Sequence, residues 1–296
     1  MSNFYSLINN EFKENISILD RGLSYGDGFF ETMSWDYLGG LAKPTLAVEY
    51  WKRHYNRIKT GCDLMAIKLP DLNTLLRQRQ KILHRSFSQS MQGGILKLII
   101  TRGVGGRGYK FENDTTPTIA FLTFPKTKLN PEIYKKGVKT KFCKTMLYSH
   151  NKLFGLKHLN RLDSVLARSE WNDEFFEGIF LDESNNLVEG TMTNIFFIKG
   201  ETLITPLLEH SGIKGILRQV VIEKAKKFFK KTIISKINKE MLNDFDQMFL
   251  TNSILKVVPV KSLDRKNFFV GKNLEKLINF FSTDDRVLRK KNLEFL

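Results

Sequence analysis

Between residues 94 and 124 the chain spells a strand, a glycine-rich connection and a second strand: GILKLIITR (94–102), GVGGRG (103–108) and PTIAFLTF (117–124). The middle piece satisfies the spacing G-x-G-x-x-G, which after a strand raises the idea of a dinucleotide-binding βαβ unit. Such a unit needs a helix opening at its third glycine. Here YKFENDTTPT follows, bringing turn formers and then another strand. The Rossmann reading fails, and what remains is two strands joined by a flexible loop. Arg107 and Tyr109 stand at its tip, where they could grip an anion.

The remaining pattern is equally irregular. Asn9-Asn10 suits a hairpin turn near the start, and glycines at 22, 26 and 28 interrupt an aromatic-rich run. Helical periodicity covers about 45–62 and 71–87. PKTKLNPE (125–132), with two prolines among polar residues, reads as a linker. Beyond it come a strand-like GVKTKFCKT and a helix near 159–172, with Leu159, Leu162, Leu166 and Ser169 on one stripe. Strands are expected at 177–182, 192–200, 202–206, 247–253 and 257–260, and a helix from Gly215 through KAKKFF. Strands and helices mix without regular alternation in both halves. The expected class is therefore α+β, with an N-terminal domain over 1–125 and a C-terminal domain over 126–296.

Composition narrows the partners. The 296 residues can bury a sizeable core, and 42% hydrophobic with 26% charged residues is ordinary for a soluble protein. The N-terminus MSNFYSLINNEFKEN has no basic region followed by an apolar run, so no secretory signal is expected. No apolar run approaches the ~20 residues of a membrane helix; even ILKLII is cut by Lys97. Cys62 and Cys143 stand in no CxxC pair, which fits a reducing, cytoplasmic setting without disulfides. The net charge of +16 is scattered, acidic residues interrupt it, and no nucleic-acid module is present. Neither a nucleic-acid nor a membrane partner is expected; an anionic small molecule is the better match.

Among reactive groups, five histidines include no HExxH or other close ligand pair, so no metal is expected, and no GxSxG elbow is found. FGLKHLNRL (154–162) gives Lys157 a small, apolar approach followed by an amphipathic pattern, a setting that suits a desolvated amine. In GIKGILRQVV (212–221) Gly215 precedes a helix whose first N–H groups, near Ile216 and Leu217, lack intrahelical partners and can bind phosphate. Alone, that is equally an ordinary loop-to-helix junction. Glu189 closes a short apolar strand; solvation is the commoner state for such a carboxylate, and if buried it needs a cation or an acceptor role, such as toward a protonated ring nitrogen.

Taken in order, these fragments resemble one family, the class IV pyridoxal-phosphate aminotransferases of fold type IV. DRGLSYGDGFFET is similar to their N-terminal signature and HYNRI (54–58) to their phosphate-arginine segment. GLKHLNRLDSVLARSEW resembles the cofactor-lysine region, and LVEGTMTNIFFIKG the strand with the pyridine-nitrogen carboxylate. GIKGILRQVV and FLTNSILKVVPV resemble the remainder of the phosphate cup. The likeness spans roughly 18–262 and implies a two-domain enzyme with pyridoxal 5'-phosphate between the domains. ILKLIITRGVGGRGY and GLKHLNRL are closer to the aminodeoxychorismate lyase branch, which makes 4-aminobenzoate for folate. FFET, with Glu31, also fits the transaminases, and Leu217 lacks the hydroxyl that many relatives carry.

The resemblance implies roles. Lys157 would bond to the cofactor and, once freed, remove the substrate's C4 proton, its pKa brought down by burial from about 10.4 toward working pH. Glu189 would keep the pyridine nitrogen protonated. Arg57, the Ile216 and Leu217 amides, Asn252 and Ser253 would hold the phosphate. Arg107, Tyr109 and Glu31 would face the substrate, a dianion whose enolpyruvyl group leaves as pyruvate. A homodimer is implied. The rival on the same scaffold is a transaminase for D-amino or branched-chain amino acids; a nucleic-acid-binding protein without chemistry ranks far behind.

Overall fold

The computed structural model describes residues 4–39, 44–148 and 152–282. Within them the chain forms two compact units. One runs to Lys128 and also takes in Leu156–Asn160; the other comprises Leu129–Gly155 and Arg161–Thr283. The first division falls inside PKTKLNPE. The segment holding Lys157 therefore belongs to the first unit although both its flanks belong to the second.

The first unit is built on an antiparallel sheet. Its strands are β1 (Tyr5–Ile8), β2 (Gly28–Tyr37), β3 (Leu46–Val48), β4 (Gly93–Thr101) and β5 (Thr118–Pro125), in the order β1-β5-β4-β2-β3. The glycine-rich stretch joins β4 to β5 with no helix between them. Side chains alternate along β2: Phe29, Glu31, Met33 and Trp35 are buried on one face, while Phe30, Thr32 and Ser34 are half-buried on the other. A short helix α1 (Arg21–Tyr25) precedes β2, capped by Asp20 and ended by Gly26 in the left-handed region (φ 61°). Helices α2 (Trp51–Met65) and α3 (Leu72–Ser88) pack on β2 and β5. Along α2 the buried side chains Trp51, His54, Ile58 and Cys62 recur at three- and four-residue spacing. The helix expected over 45–62 begins only at Trp51. Leu46–Val48 pairs with Trp35–Tyr37 instead, and Tyr50 turns the chain in a left-handed conformation (φ 54°).

The second unit holds a mixed sheet in the order β11-β10-β9-β12-β13-β6-β7-β8, with β14 pairing β13. These strands are β6 (Val138–Phe142), β7 (Glu177–Leu181), β8 (Leu187–Gly190), β9 (Asn194–Lys199), β10 (Thr202–Pro206), β11 (Lys231–Ser235), β12 (Gln247–Asn252), β13 (Lys256–Leu263) and β14 (Lys266–Asn267). Helices α4 (Glu132–Lys136), α5 (Leu162–Arg168), α6 (Ile216–Lys224) and α7 (Lys272–Ser282) accompany it. Apolar side chains fill both faces. Ile179, Leu181, Leu187, Ile195 and Phe197 belong to one cluster, and Phe180 and Val188 join Trp171 and Leu208 in another. This two-sided burial is why β7 to β10 read as nearly continuous apolar runs.

Two expectations change here. The helix expected over 159–172 shrinks to α5, and its apolar stripe is not core: Leu162 is 66% and Leu166 50% exposed, while Ala167 is buried. The helix expected from Gly215 through KAKKFF is α-helical only to Lys224; it tightens to a 3₁₀ turn over Ala225–Lys227, and KTIIS then pairs in parallel with β10 as β11. Among the described residues no helix is long and apolar enough to cross a membrane. Both units mix helix and sheet, so the class is α+β.

Candidate active site

In the first unit, β2 and α2 create a buried ion cluster. Glu31 is 1% exposed and faces the one side of α2 that carries His54 and Arg57, three positions apart. Arg57 donates from Nε to Oε1 (2.7 Å) and from Nη2 to Oε2 (2.5 Å), and His54 Nδ1 lies 2.6 Å from Oε2. Burial pushes the Glu31 carboxyl up, but the charges of Arg57 and His54 and their hydrogen bonds outweigh it, bringing the pKa from 4.5 to about 2. The bidentate fork fixes the guanidinium plane of Arg57.

Lys157 enters the same unit beside β2. Phe30 N donates to Lys157 O (2.9 Å) and Leu159 N to Gly28 O (2.9 Å), so residues 157–159 extend the sheet edge. Leu156, 3% exposed, packs near Gly61 of α2, where a Cβ would come within 3.0 Å of its Cδ1. That is the apolar approach visible in FGLK. The Lys157 ammonium lies 4.4 Å from the Phe30 ring centre. Lys97, on β4, lies 5.0 Å from the same centre, and burial pulls its pKa down.

In the second unit, the end of β8 carries Glu189, 2% exposed. Its Oε2 accepts from Ile213 N (2.8 Å) and Asn194 Nδ2 (3.2 Å), and Arg161 Nη2 is 3.8 Å from Oε1. The Ile213 bond ties Glu189 to the loop that opens α6. At that helix start Gly215 gives no side-chain cap, and the Ile216 and Leu217 side chains are buried, so only their backbone N–H groups can face an anion. Asn194 links the two features: it also donates to Ile213 O (2.8 Å), and a Cβ on Gly215 would lie 2.1 Å from its Oδ1. The turn between Glu189 and Asn194 is held by Glu177, fully buried, which accepts from the Thr191, Met192 and Gly178 backbone and from both threonine hydroxyls. Asn252 Nδ2 donates to Met192 O (3.1 Å), while its Oδ1 accepts from Ile254 N and Leu255 N.

The amino-transferase class IV family profile matches residues 28–263. This chain belongs to the class IV aminotransferase family. It is 31% identical over 270 residues to aminodeoxychorismate lyase of Vibrio harveyi, covering 89% of this chain and 94% of that protein. It is 30% identical over 269 residues to a putative branched-chain-amino-acid aminotransferase of Methanocaldococcus jannaschii, covering 88% of each. The crystal structure of 4-amino-4-deoxychorismate lyase from Pseudomonas aeruginosa matches with a TM-score of 0.81 and 33% identity, over 92% of this chain and 96% of that one.

Within this class IV chain the expected residues fall into separate groups. Arg57 and Glu31, expected at phosphate and substrate, meet each other directly. The buried oxygens of Glu31 are taken by Arg57 and His54. Lys157 adjoins Phe30, which precedes Glu31 in β2 and lies on the opposite sheet face. Glu189 and the start of α6 are joined through Ile213. Asn252 bonds Met192 in the turn after Glu189, so its side chain braces that turn. Ser253 follows it, with its carbonyl accepting from Lys256 Nζ (2.6 Å). Arg107 and Tyr109 are exposed, Tyr109 at 86%. Sequence reasoning passed over His54, Lys97, Asn194 and Glu177. Lys97 alone left a signal, a lysine inside an apolar strand.

Proposed function

We propose that the chain is a pyridoxal-phosphate-dependent 4-amino-4-deoxychorismate lyase, removing pyruvate from a dianionic substrate to leave 4-aminobenzoate. The observation that carries this reading is the full-length likeness to aminodeoxychorismate lyases, in sequence and in solved structure. The donor set fits the cofactor. It needs a primary amine, a buried carboxylate for its ring nitrogen and donors for its phosphate. Lys157, Glu189, and Arg57 with the first N–H groups of α6 match those needs in kind. Asn252 would support that set by bracing the turn after Glu189, and Ser253, just past β12, would add a donor.

When bound, pyridoxal phosphate supplies a sink for the electron pair left behind by a departing proton. Glu189, held by Ile213 N and Asn194 Nδ2, keeps a proton on the ring nitrogen. Glu31 holds the Arg57 guanidinium in one orientation, so that arginine meets phosphate oxygens without further ordering. Lys157 Nζ takes the proton from C4 of the substrate and hands one to the departing methylene. Arg107, Tyr109 and Lys97 supply donors for two carboxylates.

The enzyme is read as a cytoplasmic homodimer. Its two cysteines are buried and free, with both thiols pushed up to about 12 by burial, which leaves them unreactive. Ile18, Leu19, Leu23 and Val104 are all more than half exposed, an apolar surface that suits a second copy of the chain. Sedimentation of the purified protein tests this, and a monomer at micromolar concentration contradicts it.

The deciding experiment supplies aminodeoxychorismate to the cofactor-loaded protein and follows 4-aminobenzoate fluorescence. Catalytic product formation is expected. A loaded protein that gives none, yet transfers amino groups from D-amino or branched-chain amino acids, supports the second reading, which the near-equal identity to a branched-chain aminotransferase favours.

A further inference from the structure

The loop between β4 and β5 is tied down by a side chain that the reaction above does not use. Arg21, on α1, has a side chain only 4% exposed. Its Nε donates to Asp27 Oδ2 (2.9 Å), Nη1 to Gly108 O (2.9 Å) and Lys110 O (3.5 Å), and Nη2 to Tyr109 O (3.3 Å). Its backbone N donates to Gly103 O (2.9 Å), and a Cβ on Gly105 would lie 2.6 Å from its Cδ. Tyr25, one turn on, lies under the guanidinium at 4.7 Å and accepts from Gly108 N (3.0 Å). The loop's ends are held as well. Arg102 forks onto Asp27 (2.7 and 3.0 Å) and stacks 3.6 Å from the centre of the Phe111 ring.

We infer that Arg21 is a positioning residue that holds the Gly103–Phe111 loop in one shape, so that Arg107 and Tyr109 stand preset for the substrate's carboxylates. This rests on reading Arg107 and Tyr109 as substrate residues. Three successive carbonyls and one carboxylate converge on a single guanidinium, whose donors form a planar fork. The loop's backbone is thereby fixed while Arg107 and Tyr109 stay exposed, the Tyr109 ring edge-on to Tyr25 at 5.7 Å. Gly105 gives the arginine stem room, and Gly103 and Gly108 take positive φ (98° and 81°) that suits glycine. Lysine cannot replace Arg21, because one ammonium cannot reach Asp27 and all three carbonyls together. Recognition by a preset loop loses less entropy than recognition by a mobile one.

The test compares cofactor-loaded wild type with Arg21→Lys and Tyr25→Phe by hydrogen exchange and steady-state kinetics. Arg21→Lys is expected to speed amide exchange across Gly105–Phe111 and to raise KM for aminodeoxychorismate about tenfold, with kcat within about threefold and the cofactor absorbance unchanged. Wild-type exchange in that loop, or a fall in kcat with KM unmoved, overturns the inference. Should Arg21→Lys not fold, Tyr25→Phe decides: exchange that rises at Gly108 alone and stays at the wild-type rate over Tyr109–Phe111 supports Arg21 as the holder, and faster exchange across the whole loop overturns it. A wild type that makes no 4-aminobenzoate overturns the functional reading instead, and loop exchange then decides alone whether Arg21 holds the loop.

Discussion

Glu31 shows how a charge survives on the apolar face of a strand. A buried carboxylate is costly unless paired, and here a bidentate arginine and a histidine answer it. Its folded pKa of about 2 lies below the ordinary 4.5, so the unfolded chain binds the proton first as pH falls. The contribution to stability is complete above pH 4.5 and is lost progressively toward pH 2, about 3 kcal/mol in all. Urea unfolding between neutral and acid pH should show that loss in wild type. Glu31→Gln should be destabilised at neutral pH and lack this part of the acid limb. An identical limb in both would contradict the pairing. In the sequence, HYNRI gave Arg57 a reason to matter, but Glu31 looked like a substrate residue. Its partner lies 26 positions away, and cross-element pairing leaves no local trace.

At the scale of elements, strands were more legible than helices. β4, β5, β7 and β12 carry their apolar alternation or runs openly. α5 misled because its leucine stripe has helical spacing yet stays exposed, and β11 was hidden by the basic run before it. Two junctions carry the second unit's chemistry. At the start of α6, Gly215→Ala would drive a methyl against Asn194 Oδ1 and so disturb the Glu189 support. Cofactor affinity should fall about tenfold or more, while thermal stability without cofactor falls by about 1–2 kcal/mol. Unchanged affinity in a cofactor titration would detach Gly215 from the site. At the start of β7, Glu177→Ala strips the acceptor from four donors in Thr191–Thr193 and from Gly178 N. A loss of about 3 kcal/mol or more is expected in denaturant unfolding. Wild-type stability would mean that water replaces the carboxylate at no cost.

For the whole molecule, six ordered segments were enough to reach the family, because each carries residues that a cofactor site demands. What sequence could not show is that the chain returns Leu156–Asn160 to the first unit; that exchange depends on backbone pairing with β2. On the proposed function, the net charge of +16 should attract the anionic substrate at long range, an effect that salt screens within about 8 Å at physiological ionic strength. KM for aminodeoxychorismate should therefore rise with added salt while kcat stays level; a salt-independent KM would leave the charge without a catalytic part. The central claim concerns one amine among 47 lysines and arginines. Borohydride reduction of the pyridoxal-phosphate-loaded protein, followed by peptide mapping in a mass spectrometer, reads it directly. A single pyridoxyl label on Lys157, absent from Lys157→Ala, is the expected result; a label on another lysine, or one that survives in that variant, would contradict the role given to Lys157.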